Sequence, residues 1–327
     1  MKLMKLVACI AGMIAALQCI GGASAQNYPA RPVTMLVPFA ADGPVDVIGR
    51  LLAERMRQSL GQTLIVENVS GASGSIAVGR VARAAADGYT IVLGNWGTFV
   101  ANGAFMPLQY DLLNDFAPIA QITTQPYLIV ARKSLPANDL RELVAWLKAN
   151  PDKASQGTSG LGTPAHVAGL FFQKVTGTRF QSIPYRGLAP AMQDLLAGQT
   201  DLMFDSPVSS LPQVRAGNIK AFAVMAKTRA SAAPEVPTVD EAGLPGVYMG
   251  SWYGMWAPKG TPSDVIERLA AAAREALADE SVRKRIANLG QEIPPVEQQT
   301  PEFLGAFQKA EIETWWPIIK ATGIKAN

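Results

Sequence analysis

Short apolar runs alternate with longer amphipathic stretches along most of the chain. The β-branched runs Val33–Pro38, Thr63–Glu67 and Thr90–Gly94 have the length and composition of buried strands. Between them, Val45–Leu60 and Ser75–Ala86 repeat apolar residues at helical spacing. Strands that alternate with helices in this way predict an α/β fold, in which mostly parallel strands form a sheet flanked by helices.

The same alternation resumes after a middle segment. Further strands are predicted at Leu128–Ala131, Gln156–Thr158, Gln181–Tyr185, Asp201–Phe204 and Ala221–Met225. Further helices are predicted at Asp139–Asn150, Ala165–Thr176 and Ala189–Ala197, and in the tail at Pro262–Ala278, Ser281–Leu289 and Pro301–Thr322. Two groups of such units predict two sheets, each at the centre of its own lobe.

Two segments connect the predicted lobes. Gln121–Tyr127 leads out of the first group of strands, and Tyr248–Trp256 leads back toward it. We therefore expect a discontinuous first lobe built from residues 26–126 and 250–327, with residues 127–249 as the second lobe. A double crossing suits hinge closure over a ligand. One continuous doubly wound sheet is the alternative.

The N-terminus has the three-part layout of a secretory signal. Lys2 and Lys5 form a positive start, residues 6–20 are apolar, and the small residues 23–25 precede Gln26. We expect export with cleavage before Gln26, so that residues 1–25 are a signal peptide. A retained anchor is the alternative, although a membrane-spanning helix needs about 20 apolar residues.

Cleavage there changes the chemistry open to the protein. Both cysteines, Cys9 and Cys19, lie in the removed segment, which excludes disulfides and zinc–cysteine sites from the mature chain. His166 is the only histidine, so a multi-histidine metal site is also excluded. The net charge falls from +3 to +1, and the scattered Lys and Arg leave no basic patch for nucleic acid. We expect a soluble mature protein without cofactor or metal.

Four strand-to-helix connections are rich in small residues and are predicted to meet at one edge. Helix starts carry unpaired N–H groups and the positive end of the helix dipole, so they attract anions. Two converging starts with charge-assisted hydrogen bonds reach micromolar affinity, about −8 kcal/mol. The alternative is that small residues only make tight turns. The candidate ligand-binding residues of these loops are Phe39, Ala41, Asp42, Gly43, Ser73, Asn95, Trp96, Gly97, Thr98, Ser159, Gly160, Gly162 and Thr163.

Three further candidates lie just beyond these loops or at predicted strand ends, where α/β proteins bind ligands. His166 is either a helix-start hydrogen-bond donor or a structural histidine. Arg186 offers a fork for a second carboxylate, or is a solvated arginine. Asp205 ends a predicted strand. Trp96 and Phe99 supply either an apolar wall of the site or core packing.

Catalysis has little support in the sequence. A serine–histidine mechanism would have to use His166, with Ser159 as nucleophile, but residues 157–161 lack the last glycine of a nucleophile elbow. The Gly-x-x-x-x-Gly-Lys-Ser/Thr pattern of a nucleotide phosphate loop is also missing. We expect no enzyme, and a secreted serine hydrolase using Ser159 and His166 is the alternative from a different class.

Several short motifs follow one another in an order that is itself informative. They are Tyr28-Pro29-Ala30-Arg31-Pro32-Val33, Val37-Pro38-Phe39 with Asp46 and Arg50, Val66-Glu67-Asn68, Ala86-Asp87-Gly88-Tyr89-Thr90, Pro184-Tyr185-Arg186-Gly187, Asp201-Leu202-Met203-Phe204-Asp205 and Ala242-Gly243-Leu244-Pro245-Gly246. Together they span essentially all of the mature chain. This ordered set resembles the Bug (TctC-like) family of tripartite tricarboxylate transporter receptors.

The resemblance implies a periplasmic solute-binding protein with a type II-like Venus-flytrap fold. It implies a small carboxylate ligand, such as a dicarboxylate, an aromatic acid or an amino-bearing acid, held mainly by main-chain groups and ordered water from both lobes. It further implies delivery to the membrane subunits of a separate tripartite tricarboxylate-type transporter. We expect a monomer. An ABC-type receptor for another solute is the remaining alternative.

The loops depart from the family pattern at several positions. The family's first loop usually has two consecutive glycines, and this chain has Asp42 in place of one of them, before Gly43. The next two residues also differ: Pro44 removes a backbone N–H donor, and Val45 removes a hydroxyl. Asn95 and Trp96 are bulkier than the small, hydroxyl-bearing residues usual in the third loop. These departures predict a pocket that selects something other than a simple di-acid.

Overall fold

The computed structural model describes residues 28–185, 187–321 and 323, and it contains two five-stranded sheets. The predicted signal peptide, residues 1–25, and the predicted site residue Arg186 lie outside the described residues. We name the sheets, with the helices that cover them, the first and the second lobe.

The first lobe is assembled from both ends of the chain. Its strands are β1 (Val33–Val37), β2 (Leu64–Asn68), β3 (Thr90–Asn95), β4 (Phe116–Pro126) and β10 (Gly250–Pro258). Its helices are α1 (Pro44–Leu60), α2 (Ser75–Ala82), α3 (Asn102–Phe105), α8 (Ser263–Ala278), α9 (Glu280–Asn288) and α10 (Pro301–Ala321). Short 3₁₀ or π-helical turns lie at Ala72–Gly74, Gly97–Ala101 and Val296–Gln298.

The first sheet has the strand order β2-β1-β3-β10-β4. β1 is parallel to β2 and β3, whereas β10 is antiparallel to β3 and β4. Val33, Met35 and Val37 of β1 pack under α1, while Leu36 faces a different core cluster that includes Val78 of α2. Both faces of β1 are therefore buried, which explains why its sequence is a continuous apolar run rather than an alternating one.

The second lobe is one continuous stretch of chain. Its strands are β5 (Leu128–Arg132), β6 (Ser155–Thr158), β7 (Gln181–Pro184), β8 (Leu202–Asp205) and β9 (Ile219–Val224), in the order β7-β6-β8-β5-β9. Its helices are α4 (Leu140–Ala149), α5 (Pro164–Thr176), α6 (Leu188–Leu196) and α7 (Pro207–Arg215). β6 is parallel to β7 and β8, and β5 is antiparallel to β8 and β9.

The two crossings between the lobes lie side by side. Only Tyr127 separates β4 from β5. The Tyr127 N–H donates to the Met249 carbonyl at 3.0 Å, and the Tyr127 carbonyl accepts from the Met225 N–H at 2.8 Å. The Met249 N–H in turn donates to the Met225 carbonyl at 3.0 Å. These bonds tie the outgoing and returning chain together at the hinge.

The C-terminal helix α10 packs against both lobes. Gln308 donates to the carbonyls of Phe99 and Leu112, each at 3.0 Å, and accepts from the Trp256 indole at 3.0 Å. Further along α10, the Trp315 ring lies edge-on to Phe171 of the second lobe, with centroids 5.0 Å apart. The helix therefore completes the first lobe and also contacts the second.

The two-lobed α/β fold predicted from the sequence is confirmed, and most strand and helix positions agree within two residues. Each sheet is mixed, because β4, β5, β9 and β10 carry the crossings and run against their neighbours. The helix predicted over Ser75–Ala86 ends at Ala82. Helix α7 was not predicted, because Pro212 and two serines interrupt its apolar spacing.

Candidate functional site

The carboxyl ends of β1, β2 and β3 bring three small-residue loops into contact. Gly74, in the loop after β2, has φ +87°, and a Cβ placed there would lie 2.7 Å from the Thr98 methyl and 2.9 Å from Cβ of Pro38. Pro38 begins the loop after β1, and Thr98 lies in the loop after β3. Only glycine fits between them, so the three loops form one continuous edge.

Asp46, in the first turn of α1, holds the loop after β1. Its carboxylate accepts from the Asp42 N–H, from Arg50 Nε and from Asn68 Nδ2, each at 2.9 Å. Asn68 also donates to the Phe39 carbonyl at 3.1 Å. Burial acts to raise the pKa of Asp46, but the hydrogen bonds from Arg50, Asn68 and Asp42 outweigh it and hold that pKa below its usual range.

The predicted residues of this first loop differ in exposure. Phe39 and Gly43 are half-buried, whereas Ala41 and Asp42 are exposed. Asp42 adopts a positive φ of 64°, a conformation that aspartate tolerates better than most residues. Gly43 precedes α1 and offers no side-chain cap. Pro44 fills the first position of the helix, where a missing N–H costs nothing.

A reciprocal pair of hydrogen bonds shapes the loop after β3. The Asn95 N–H donates to Thr98 Oγ1 at 2.9 Å, and the Thr98 N–H donates to Asn95 Oδ1 at 3.0 Å. Nearby, Asn102 Nδ2 donates to the Ser73 carbonyl at 2.9 Å and links this loop to the one after β2. Both predicted polar residues of the loop, Asn95 and Thr98, thus serve first to fix its backbone, with Gly97 between them.

Trp96 lies in the core rather than on the site surface. Its side chain has no exposure to solvent, and its ring lies edge-on to Trp315 with centroids 6.0 Å apart. Phe99 is equally buried and stacks on Trp256, with centroids 3.6 Å apart. Of the two interpretations open at the sequence level, core packing is the one that the structure shows for both rings.

In the second lobe, Thr163 organises the loop between β6 and α5. Its hydroxyl donates to the Gly160 carbonyl at 2.7 Å and accepts from the His166 N–H at 3.4 Å, which caps the helix. The His166 ring accepts from the Gly162 N–H through Nδ1 at 3.1 Å. Burial lowers the pKa of His166, in keeping with a ring nitrogen that accepts. The ring is therefore an acceptor at Nδ1, where it is engaged by the Gly162 N–H.

Asp205 is a completely buried carboxyl group at the end of β8. The hydroxyls of Ser209 and Ser210 donate to its Oδ2, the latter at 2.6 Å, whereas Oδ1 has no partner within the described part of the chain. Burial raises the pKa of Asp205, although the Ser209 and Ser210 hydroxyls and the Ser206 N–H act in the opposite direction. The charge of Asp205 also raises the pKa of Tyr127 at the hinge, after burial as the main cause.

One contact shows that the loops of the two lobes face each other. A Cβ placed on Gly162 would lie 3.5 Å from the Phe105 ring, which follows the third loop of the first lobe. The positive φ of 125° at Gly160 and of 76° at Gly162 lets the backbone turn toward that ring without a side chain in between. The fourth predicted loop therefore borders the same space as the first three.

Sequence reasoning missed several residues that shape this space. Asp46 and Asn68 hold the first loop, and Ser206 begins α7 without a side-chain cap. The short spacing between Asp46 and Arg50, one helical turn, is a signal that points to an ion pair. No local signal links Asn68 to Asp46, because the contact depends on how β2 lies beside β1.

The described residues hold neither a metal centre nor a spanning helix. Within residues 28–185, 187–321 and 323, no three histidine, cysteine, aspartate or glutamate side chains cluster closely enough to hold a metal ion. In the same part of the chain, every helix is too short or too polar to cross a bilayer.

Comparison with known proteins gives consistent matches along almost the whole chain. Residues 48–324 match the family described as tripartite tricarboxylate transporter family receptor. The chain is 35% identical to Protein BugT of Bordetella pertussis over 327 residues, which covers 99% of each chain.

Two solved structures carry dicarboxylates. MatC from Rhodopseudomonas palustris, with bound malate, is 38% identical, with a TM-score of 0.72 over 89% of this chain and 100% of that one. A second R. palustris protein, determined with adipate, is 33% identical, with a TM-score of 0.73 over 91% of this chain and 99% of that one.

Proposed function

Because this chain belongs to the family of tripartite tricarboxylate transporter receptors, also known as Bug proteins, we propose that it captures a small carboxylate in the cleft between its lobes and releases it to the membrane subunits of such a transporter. Members of the family are periplasmic solute receptors and not a class of enzyme. We expect the mature protein to work in the periplasm as a monomer, after cleavage before Gln26.

The observation that carries the proposal is the meeting of small-residue loops from both lobes. Gly162 approaches Phe105 across the cleft, and the starts of α1 and α7 have no side-chain cap. Free N–H groups at such starts favour a negative charge by about 0.3–1 kcal/mol each when exposed, and by up to ~2 kcal/mol when partly buried. An anion that contacts both lobes is stabilised by several of these N–H groups at once, and it therefore favours the closed arrangement of the lobes.

The two buried acids beside the loops, Asp46 and Asp205, offer little opposition to an anion. Arg50 compensates the charge of Asp46, and burial favours the neutral form of Asp205. The remaining predicted contacts are backbone groups and hydroxyls around Ser73, Gly97 and Ser159, which suit a carboxylate. We keep Arg186 as a prediction for the second carboxylate of the ligand.

We infer that the ligand has an aliphatic dicarboxylate skeleton between malate and adipate in length and carries a further polar group, because the loop departures predict something other than a simple di-acid. The relative with bound malate is 38% identical to this chain, and the relative with adipate is 33% identical. Asp42, exposed at the first loop, is the residue most apt to shift selection toward a ligand with an added hydroxyl or ammonium group. Aromatic and amino-bearing acids therefore belong in the same screen.

A thermal-shift screen of the mature protein tests the proposal. Malate, adipate, glutamate and benzoate are compared with glucose as a neutral solute. A dicarboxylate at a hundredfold excess over its Kd stabilises the folded protein by about 2.7 kcal/mol, which raises Tm by several degrees. If glucose raises Tm and none of the four acids does, the carboxylate assignment is wrong.

A further inference from the structure

A hollow of about 390 Å³ lies at the hinge, beside helix α10. The outgoing strand β4, the returning chain before β10, the segment after β9 and helix α10 all contribute to its wall. We call it the hinge hollow and define it by Gln121, Lys227, Tyr248, Trp252, Phe307 and Glu311. Its volume is within the range of small-molecule sites.

The hinge hollow contains a carboxylate that lacks a cationic partner. The Trp252 indole donates to Glu311 Oε2 at 3.0 Å. Burial raises the pKa of Glu311, and the indoles of Trp252, Trp315 and Trp96 act in the opposite direction. Among the ion pairs of the described chain, none involves Glu311. Burial by itself favours the neutral form of Glu311, so an ammonium group in the hollow would supply the positive partner that its ionised form lacks.

A second acceptor in the same wall has no hydrogen-bond partner. Gln121 is 1% exposed, and its carbonyl Oε1 has no hydrogen-bond partner within the residues that the structure describes. An amide oxygen left unpaired in a buried position costs about 1–3 kcal/mol, so it calls for a donor. Because Gln121 Oε1 has no accessible surface, Glu311 is the acceptor that a ligand with N–H groups meets in the hollow.

The rest of the wall is aromatic. Trp252 and Phe307 lie with ring centroids 5.2 Å apart, and Phe303 stacks on Phe307 at 5.6 Å. At the rim, Lys227 Nζ lies 5.5 Å from the centroid of the Tyr248 ring, so a cation already sits over one of these faces. Aromatic rings beside a carboxylate are the features that recognise organic ammonium ions.

We propose that the hinge hollow is a second binding site, separate from the carboxylate cleft, for a small organic cation with an ammonium group and an apolar body. The ammonium donates to Glu311, and the apolar body lies against Trp252 and Phe307. Because both crossings line the hollow, its occupant contacts the hinge itself. A cation bound there biases closure, and carboxylate binding changes cation affinity by the same factor.

Titration with benzylammonium, followed by calorimetry on the full mature protein, tests the site. Benzyl alcohol serves as the neutral analogue of the same shape. We expect saturable binding of benzylammonium at least tenfold tighter than that of benzyl alcohol. Equal affinity for the two would overturn the proposal, because the carboxylate would then contribute nothing.

Two variants and one control locate the binding. E311Q retains an acceptor for the Trp252 indole but removes the charge, and we expect at least a tenfold loss of benzylammonium affinity. E313Q, on the exposed side of the same helix, is the matched control and should leave affinity unchanged. Phe307→Leu keeps Glu311 and removes one ring, with an expected loss of about threefold to tenfold.

The outcomes separate this site from the cleft. Malate and adipate are titrated into each variant in parallel, so a failure of carboxylate binding in the unaltered protein is seen independently of the amine result. Loss of benzylammonium binding in E313Q as much as in E311Q contradicts the assignment. If E311Q does not fold, the Phe307→Leu variant decides, since unchanged affinity there places the cation elsewhere.

Discussion

Asp46 in the first lobe and Asp205 in the second are both buried acids beside the candidate cleft, with 1% and 0% of their surface exposed. Asp46 accepts from Arg50, Asn68 and a backbone N–H, and its pKa is lowered. Asp205 accepts from two serine hydroxyls and a backbone N–H, and its pKa is raised. The same residue type thus has opposite ionisation tendencies in the two lobes.

The difference teaches that the donors around an acid, and not its burial alone, set its charge. A guanidinium offsets the desolvation of Asp46, whereas hydroxyls do not offset that of Asp205. Both arrangements have the same result for an incoming anion. Arg50 compensates the charge of Asp46, and burial favours the neutral form of Asp205, so both lessen the repulsion of a carboxylate. Asp42, exposed in the first loop, carries the opposing negative charge that remains there.

Introducing such a charge should have the largest effect. Gly160→Asp places a carboxylate at the start of α5, and the positive φ at this position adds strain. We expect dicarboxylate affinity to fall by about a hundredfold, or ~2.7 kcal/mol, measured by calorimetry. Gly160→Asn is the control, since asparagine has the same size and meets the same backbone strain at φ 125° but carries no charge. Equal losses in the two variants would assign the effect to bulk rather than to charge.

Removing the charge of Asp46 should lower the stability of the folded protein. We expect Asp46→Asn to reduce the free energy of unfolding at neutral pH by about 2 kcal/mol, because three donors lose a carboxylate. A lowered folded-state pKa means that this stabilisation is present above the unfolded-state pKa and is lost as pH falls through the folded-state pKa. Denaturant unfolding should therefore show the deficit shrinking in acid.

The exposed pair Asp152–Arg179 provides the matched control for Asp46. Asp152→Asn removes a comparable ion pair in solvent, and asparagine tolerates the positive φ of 60° at that position. We expect a change below about 0.5 kcal/mol. A deficit as large as that of Asp46→Asn would mean that burial plays no part in the contrast.

The second acid should respond to pH in the opposite direction. The pKa of Asp205 is higher in the folded state than in the unfolded state. The native protein therefore loses stability as pH rises from the unfolded-state pKa of Asp205 through its folded-state pKa. Asp205→Asn removes that loss. We expect a destabilisation of about 1 kcal/mol in acid, which diminishes toward neutral pH in the same unfolding assay. A deficit that grows with pH would refute the contrast between the lobes.

The smallest expected effect concerns Asp42. Its side chain is exposed, and its charge helps to raise the pKa of Arg50. We expect Asp42→Gly to tighten dicarboxylate binding about twofold to threefold, ~0.5 kcal/mol, if this charge borders the cleft. Asp42→Asn should give the same gain, since it removes only the charge. Unchanged affinity in both would make Asp42 a solvated loop residue.

The parts that could be predicted from the sequence depend on local pattern. Apolar runs located β1 and β3, and periodicity with a terminal glycine located α1. The lack of other histidines narrowed the chemistry without any structure. Such features need only neighbours in the chain, which is why they are readable from it.

The parts that were missed depend on residues far apart in sequence. The bond from Asn68 to Asp46 requires β2 to lie beside β1, and the acceptor role of the His166 ring requires the turn at Gly162. A tryptophan at position 96 looks the same in the sequence whether it lines a cleft or packs on Trp315. The position of α10 determines that Trp96 is a core residue. Tertiary packing, rather than local propensity, determines these contacts.

The position of β10 has a consequence for the order in which the protein forms. This strand pairs with β3 on one side and β4 on the other, yet residues 250–258 follow the entire second lobe in the chain. As the polypeptide is synthesised, the second sheet is complete once Val224 has emerged, while the first still lacks the strand that lies between β3 and β4. The first sheet cannot be completed until β10 is synthesised. Until then β3 and β4 have unpaired edges, which a chaperone is suited to cover.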